Sequence, residues 1–388
     1  MSRSGGGFGV LRHHPGVLPL AAASVLARLP FSMVSVAAIL LFRGHLHSYA
    51  IGGLAIALYS AAAAATSPLL GRLATRLGAR RVVIGVAVVR AGLLVAVVAL
   101  AQTGNAPLVT IMMVLAGAAE PPVTAVVRSA FARLPEDARA AALSLDSILI
   151  EVIFITGPLL VGLVVLVATS GYAVVIAGAL ALLGAVLIRP TSDAPPPAAG
   201  GRTNALRLPA VRTVGGVSLA QVLTFASVET AYTAACNDQH HAPLVGVLAA
   251  LWAVASATGG IVYGMRRWSG SPGRRYAITT AMVGVGFLPL AITDSPYVLM
   301  ALLPIAGLSI APCASSSSDL IAAAVPADQQ TEAFAWTSGT APAAGGALGF
   351  ALGGALVQSV GVRSSFAVSA LVALLAVAIP LVERRRLP

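Results

Sequence analysis

The chain is 388 residues long, with 58% hydrophobic residues, 10% charged residues and a mean hydropathy of +0.92. An ordinary soluble domain carries about 25% charged residues, so this composition excludes a water-solvated surface. The formal net charge of +11 does not point to nucleic acid either. That reading needs basic residues gathered on one solvated face and aromatic residues on which bases can stack. Here every Lys/Arg position is Arg, the Arg residues fall in short clusters between apolar stretches, and aromatic residues are sparse.

About 20 helical residues at 1.5 Å rise cross the hydrocarbon core of a bilayer. Apolar stretches of that length recur through the chain and predict an all-α integral membrane protein of twelve transmembrane helices. A tail over residues 1–16 precedes spans near 17–42, 49–69, 82–102, 107–131, 140–166 and 170–188. The first apolar run follows Arg3 and Arg12, as a secretory signal would. It continues to Phe42, however, and carries Arg28 near its middle, so it is expected to stay as the first helix.

Residues 189–210 hold Asp193, the Pro195-Pro196-Pro197 run, Gly200 and Gly201, and read as a solvated linker. Six more spans are expected near 211–236, 242–265, 275–293, 297–325, 331–358 and 362–383, followed by a tail over 384–388. With both termini in the cytoplasm, about 19 Arg lie on the cytoplasmic side and only Arg43 and Arg363 outside, the asymmetry of the positive-inside rule. A multi-pass protein of the plasma membrane follows.

The halves echo each other at an offset of about 190 residues. Ala116-Gly117 followed by Pro122 matches Ala306-Gly307 followed by Pro312, and the Arg- and Gly-rich loop Gly71 to Arg81 has a counterpart from Gly264 to Arg275. Parallel repeats related by an axis along the membrane normal leave such symmetry, with a substrate site between the halves near the midplane.

The loop Gly71-Arg72-Leu73-Ala74-Thr75-Arg76-Leu77-Gly78-Ala79-Arg80-Arg81, between the second and third spans, resembles the signature loop of the major facilitator superfamily. Gly71, Arg76, Gly78, Arg80 and Arg81 match that pattern, while Thr75 stands where the family usually has Asp. A glycine such as Gly71 permits close helix approach, Gly78 suits a tight turn, and the arginines suit the cytoplasmic surface. In the fifth span, Gly157-Pro158-Leu159-Leu160-Val161-Gly162 resembles the Gly-Pro signature of exporters in that family. A proline kinks or stiffens a helix and glycines permit close packing. Gly345, Gly349 and Gly353 place three small residues on one face of the eleventh span, a packing seam. The resemblance implies two six-helix bundles rocking about a central site, and a monomer.

An ionisable group near the bilayer centre costs at least about 2.5–3.5 kcal/mol on insertion scales and normally faces a cavity or a partner. Glu120, Glu151 and Glu229 are therefore candidate proton-coupling or substrate-cavity residues, and Arg28 is expected to neutralise Glu120 or Glu151. Desolvation favours a protonated carboxyl and an approaching cation favours the ionised one, so competition at Glu151 could couple proton movement to substrate movement. A permanently paired structural carboxylate is the alternative. Asp146 and Asp319, nearer the cytoplasmic ends, are candidate gate or capping residues.

His45, His47, Asp238, His240 and His241 fall in corresponding outer loops, where solvated loop residues are the simpler reading than a pH-sensitive gate or metal site. Cys236 and Cys313 read as small apolar packing residues. The sequence carries no phosphate-cradling loop, no metal-spaced His/Cys cluster and no nucleophile set, so neither an enzyme, a membrane receptor nor an ATP-driven pump is expected.

Two readings of transport remain. One is proton-antiport export of a drug or metabolite, needing no cofactor beyond the proton gradient; the other is an uptake permease for a sugar or organic acid. The scarcity of Asn and Gln within the spans favours the first. The partners are a small-molecule substrate, protons and the lipid bilayer.

Overall fold

The computed structural model describes residues 8–383 apart from 133, 189–204, 266–269, 327–328, 330–332 and 335. Twelve helices long and apolar enough to cross a membrane run through the described residues. Spans 1 to 6 are Val17–Leu46, Tyr49–Ala74, Ala79–Ala101, Ala106–Phe131, Ile148–Val167 and Ser170–Leu187. Spans 7 to 12 are Pro209–Asp238, Leu244–Met265, Pro272–Ile292, Pro296–Ala324, Trp336–Ser359 and Val362–Glu383. The expected helices are all present, with ends shifted by a few residues. The expected linker falls mostly outside the described residues, as does the tail 384–388.

The N-terminal tail is not wholly a tail. Phe8–His13 forms a short 3-10 helix, and Leu11 is buried among Val17, Leu20 and Ala138. Burial of that one leucine ties the segment to the helix that begins at Glu136.

Helix breaks fall where the chain withholds backbone donors. Span 1 divides at Leu29, because Pro30 has no N–H to continue the ladder. Span 4 divides between Ala118 and Val123, where Pro121 and Pro122 remove two donors in succession. Span 10 divides at Leu308 and Ser309, about 190 residues later. The sequence repeat around Gly117 and Gly307 is thus a repeat of broken helices.

The packing repeats as well. Spans 2 and 4, 3 and 6, and 1 and 6 are neighbours in the first half, and spans 8 and 10, 9 and 12, and 7 and 12 are neighbours in the second. A Cβ added at Gly117 would collide with the backbone oxygen of Tyr59 in span 2; one at Gly307 would stand 2.6 Å from that of Trp252 in span 8. The two halves meet through spans 2 and 11, spans 5 and 8, and spans 1 and 7.

An even number of crossings brings Phe8 and Glu383 to one end of the bundle, called here the terminal face; the other end is the distal face. Residues 79–81, which open span 3, lie at the terminal face. Gly78 has φ +92°, so it makes the turn that joins spans 2 and 3, as expected. Gly71 does not serve a close approach: a Cβ there would meet nothing within 4 Å. Arg76, Arg80 and Arg81 are exposed. Gly345 and Gly349 lie against the backbone oxygens of Leu219 and Leu223, and Gly353 against Ser227, so the three-glycine seam lets span 11 sit directly on span 7.

Candidate functional site

Polar groups within the bundle form three clusters, which differ in whether they stay inside one half. The first joins spans 2, 3 and 4. Arg90 is 0% exposed and its Nη1 donates to Glu120 Oε1 at 2.7 Å. The Tyr59 hydroxyl donates to Glu120 Oε2 at 3.0 Å, and Arg90 Nη2 in turn donates to that hydroxyl. Both carboxylate oxygens are held, and a buried cation has its counter-charge. Glu120 itself is 26% exposed, standing in the Ala119–Pro122 break of span 4.

The second cluster lies toward the terminal face. Asp146, 1% exposed, accepts from Arg28 Nη1 at 2.5 Å and from Arg128 Nε at 2.8 Å. Arg28 therefore pairs with Asp146, not with Glu120, whose cation is Arg90. The reason is lateral packing: the first part of span 1, Val17–Arg28, lies against the helix Glu136–Val167, which carries Asp146, and against Val123–Ala132, which carries Arg128. Asp319 pairs with Arg275 at 3.5 Å. Asp146 and Asp319 thus each bind within their own half. Glu151 lies on the same helix as Asp146, with its side chain outside the described residues.

The third cluster crosses between the halves. On span 1, Ser35 Oγ donates to Glu229 Oε1 of span 7 at 2.5 Å. Among the described residues, no Arg lies within ion-pair distance of Glu229. Toward the distal face, the Tyr49 hydroxyl donates to Asp238 Oδ1 at 2.7 Å and accepts from Asn237 Nδ2 at 3.0 Å. Arg43 lies 4.9 Å above the Tyr49 ring with its Nε 3.5 Å from Asp238, and the Tyr49 backbone N–H donates to Gln358 Oε1 at 2.9 Å. Small residues complete the closure: Gly53 lies against Gly354, and Gly162 against Pro243 and Gly246. Every one of these bridges lies between the midplane and the distal face.

In the span-five motif, Gly157 receives the Ser32 side chain, while Gly162 receives the start of span 8. Pro158 sits inside an unbroken helix, Glu136–Val167. Of the distal histidines, His241 packs edge-on against Tyr297 at 5.2 Å. Among the described residues, no three His, Cys, Asp or Glu groups are placed to hold a metal ion. Cys236 and Cys313 are free and buried.

Arg90, Tyr59, Ser35 and Tyr49 carry much of this chemistry and were not expected from sequence. Arg90 had a signal: a charge near the middle of span 3, at the same count of residues from the terminal face as Glu120. Ser35, Tyr59 and Tyr49 had none, since a hydroxyl in an apolar run reads as packing.

This arrangement defines a helical membrane protein of two pseudo-symmetric six-helix halves with a polar contact between them. The family model of the Major Facilitator Superfamily matches residues 20–233 and 214–388, nearly the whole chain. The chain belongs to that superfamily, whose transporters it resembles in fold. Similar solved structures include a bacterial homologue of the human lysosomal transporter Spinster, at 14% identity and TM-score 0.73, covering 95% of this chain and 96% of that one. The nucleoside transporter NupG aligns at 15% identity and TM-score 0.73, covering 96% and 99%. The human organic anion transporter MFSD10 (TETRAN) aligns at 17% identity and TM-score 0.63, covering 94% and 98%. Among curated protein sequences there is no match.

Proposed function

We propose that this chain is a secondary active transporter that exports a small organic molecule in exchange for protons, with Glu229 as the carboxylate that takes the proton. One observation carries this choice among the membrane carboxylates whose side chains are described. Glu120 and Asp146 are each held by arginine inside one half, whereas Glu229 meets a neutral hydroxyl of the opposite half. An ionised carboxylate without a counter-charge is costly at this depth. A proton or a cationic group can relieve that cost, and the Ser35 contact makes relief depend on how the halves sit.

Alternating access follows from the positions of the bridges. With the halves joined between the midplane and the distal face, substrate reaches Glu229 from the terminal face; rocking must break the Tyr49 cluster and the Gly53/Gly354 contact to admit it from the other side. The Arg distribution assigns the terminal face to the cytoplasm, so the conformation is inward-facing and both termini are cytoplasmic. The export direction is supported by the resemblance of Gly157-Pro158 and Gly162 to the exporter motif, with Gly157 against Ser32 of span 1 and Gly162 against the start of span 8. A monomer in the plasma membrane completes the reading.

The test is proton movement in proteoliposomes under an imposed pH gradient, comparing the parent with Glu229→Gln. Substrate-dependent proton flux in the parent and none in the variant is expected. Equal flux in both would remove Glu229 from the mechanism, and net accumulation on the cytoplasmic side would reverse the direction.

A further inference from the structure

Glu229 has neighbours that a bare proton site does not need. On span 7, Phe225 lies one turn to the terminal side of Glu229 and Tyr232 nearly one turn to the distal side, both on the same helix face. Both pack edge-on against Trp252 of span 8, with ring centroids 5.7 and 6.1 Å apart. Phe225 also stacks on Phe287 of span 9 at 5.8 Å.

The opposite wall repeats the pattern. Ser35 faces Glu229, and one turn toward the terminal face the same side of span 1 carries Phe31. Phe31 is 60% exposed, although the helix around it is buried on nearly every other position. Its ring meets Phe154 of span 5 edge-on at 5.7 Å. Among the described side chains, Glu229 is thus the carboxylate that stands above a space with aromatic rings on both sides.

The charges of the surrounding spans decide the sign of the ligand. Arg90 is held by Glu120, and Arg28 and Arg128 share Asp146. Arg28 keeps Nε and Nη2 without partners, but it is 8% exposed and stays within the first half. Among the described residues, an anion in this space would meet Glu229 and no unpaired guanidinium of the opposite half; a cation would meet a carboxylate and the aromatic rings of Phe31, Phe225 and Trp252.

Resting on the reading of Glu229 given above, we propose that the space between Phe31/Phe154 and Phe225/Trp252 binds an organic cation with an apolar body, its charge at Glu229 in place of the Ser35 hydroxyl. Quaternary ammonium, phosphonium and protonated amine groups share the required chemistry.

The experiment uses the full chain in detergent and two ions of one shape and opposite charge, tetraphenylphosphonium and tetraphenylborate, with saturable binding read by equilibrium dialysis. Saturable binding of the phosphonium alone is expected, weakened at least ten-fold by Glu229→Gln and several-fold by Phe31→Leu. Because Phe31 is exposed, Phe31→Leu is expected to melt like the parent, and it decides the matter if Glu229→Gln does not fold. Equal binding of the two ions, saturable binding of the borate alone, or phosphonium binding indifferent to both substitutions would overturn the proposal. Glu229-dependent proton flux driven by a neutral compound, without phosphonium binding, would overturn the cation assignment and leave proton coupling intact. Phosphonium binding without Glu229-dependent flux would support the site and defeat the coupling.

Discussion

Glu120→Gln removes the counter-charge of an arginine that has no access to solvent. Arg90 is 0% exposed and draws on Glu120 and the Tyr59 hydroxyl alone, with its Nε already unpartnered. Breaking a buried ion pair from one side costs about 3–5 kcal/mol. The Gln oxygen can still accept one of the two hydrogen bonds, and Glu120 is 26% exposed, which reduces the cost to about 2–3 kcal/mol. A shift of about 2–4 °C per kcal/mol applies at 150–250 residues and less for a longer chain, so melting is expected to fall by roughly 3–6 °C. The protein supplies its own probe: Cys236 and Cys313 are buried and free, and a thiol-reactive fluorophore reports their exposure on heating. Arg90→Met combined with Glu120→Leu replaces both charges by apolar groups and is expected to melt closer to the parent than Glu120→Gln does. Melting of Glu120→Gln at the parent temperature, or a double variant whose loss equals the sum of the single losses, would refute the reasoning.

Other consequences are open to the same kind of measurement. Asp146→Asn leaves Arg28 buried without a counter-charge and is expected to cost about 3–5 kcal/mol, against about 1 kcal/mol or less for Arg128→Ala, whose side chain is half exposed. Thermal melting of the two variants in parallel checks the order. Gly349→Ala drives a methyl against the Leu223 backbone oxygen and is expected to destabilise by about 1–3 kcal/mol, while Gly85→Ala, with nothing within 4 Å, is expected to leave melting unchanged or raise it slightly. Tyr49→Phe removes the hydroxyl that joins Asp238 and Asn237 and is worth about 1 kcal/mol, or about five-fold in the opening equilibrium. Hydrogen exchange at the distal ends of spans 2 and 7 is expected to quicken; unchanged exchange there would exclude the cluster as a closure.

The twelve spans and their two-fold repeat were legible in the amino-acid sequence. A bilayer imposes one length and one polarity on every crossing segment, so hydropathy and proline or glycine positions report directly on structure. Gly78 was legible as a turn, and the repeated Ala-Gly with a following proline as an echo between the halves, which the structure shows to be a repeat of helix breaks in spans 4 and 10. Depth along a helix, however, does not fix azimuth or neighbour. Arg28 and Arg90 both lie about 11 residues from the terminal face, as does Glu120, and either could have met it by that measure. Lateral packing decided: span 3 lies against span 4 and sets Arg90 beside Glu120, while the first part of span 1 lies against the helix Glu136–Val167 and sets Arg28 beside Asp146. For the same reason Ser35, Tyr49 and Tyr59 were silent in the sequence. A hydroxyl in an apolar run acquires meaning only from what the opposing helix presents, and only the tertiary structure set Ser35 against Glu229.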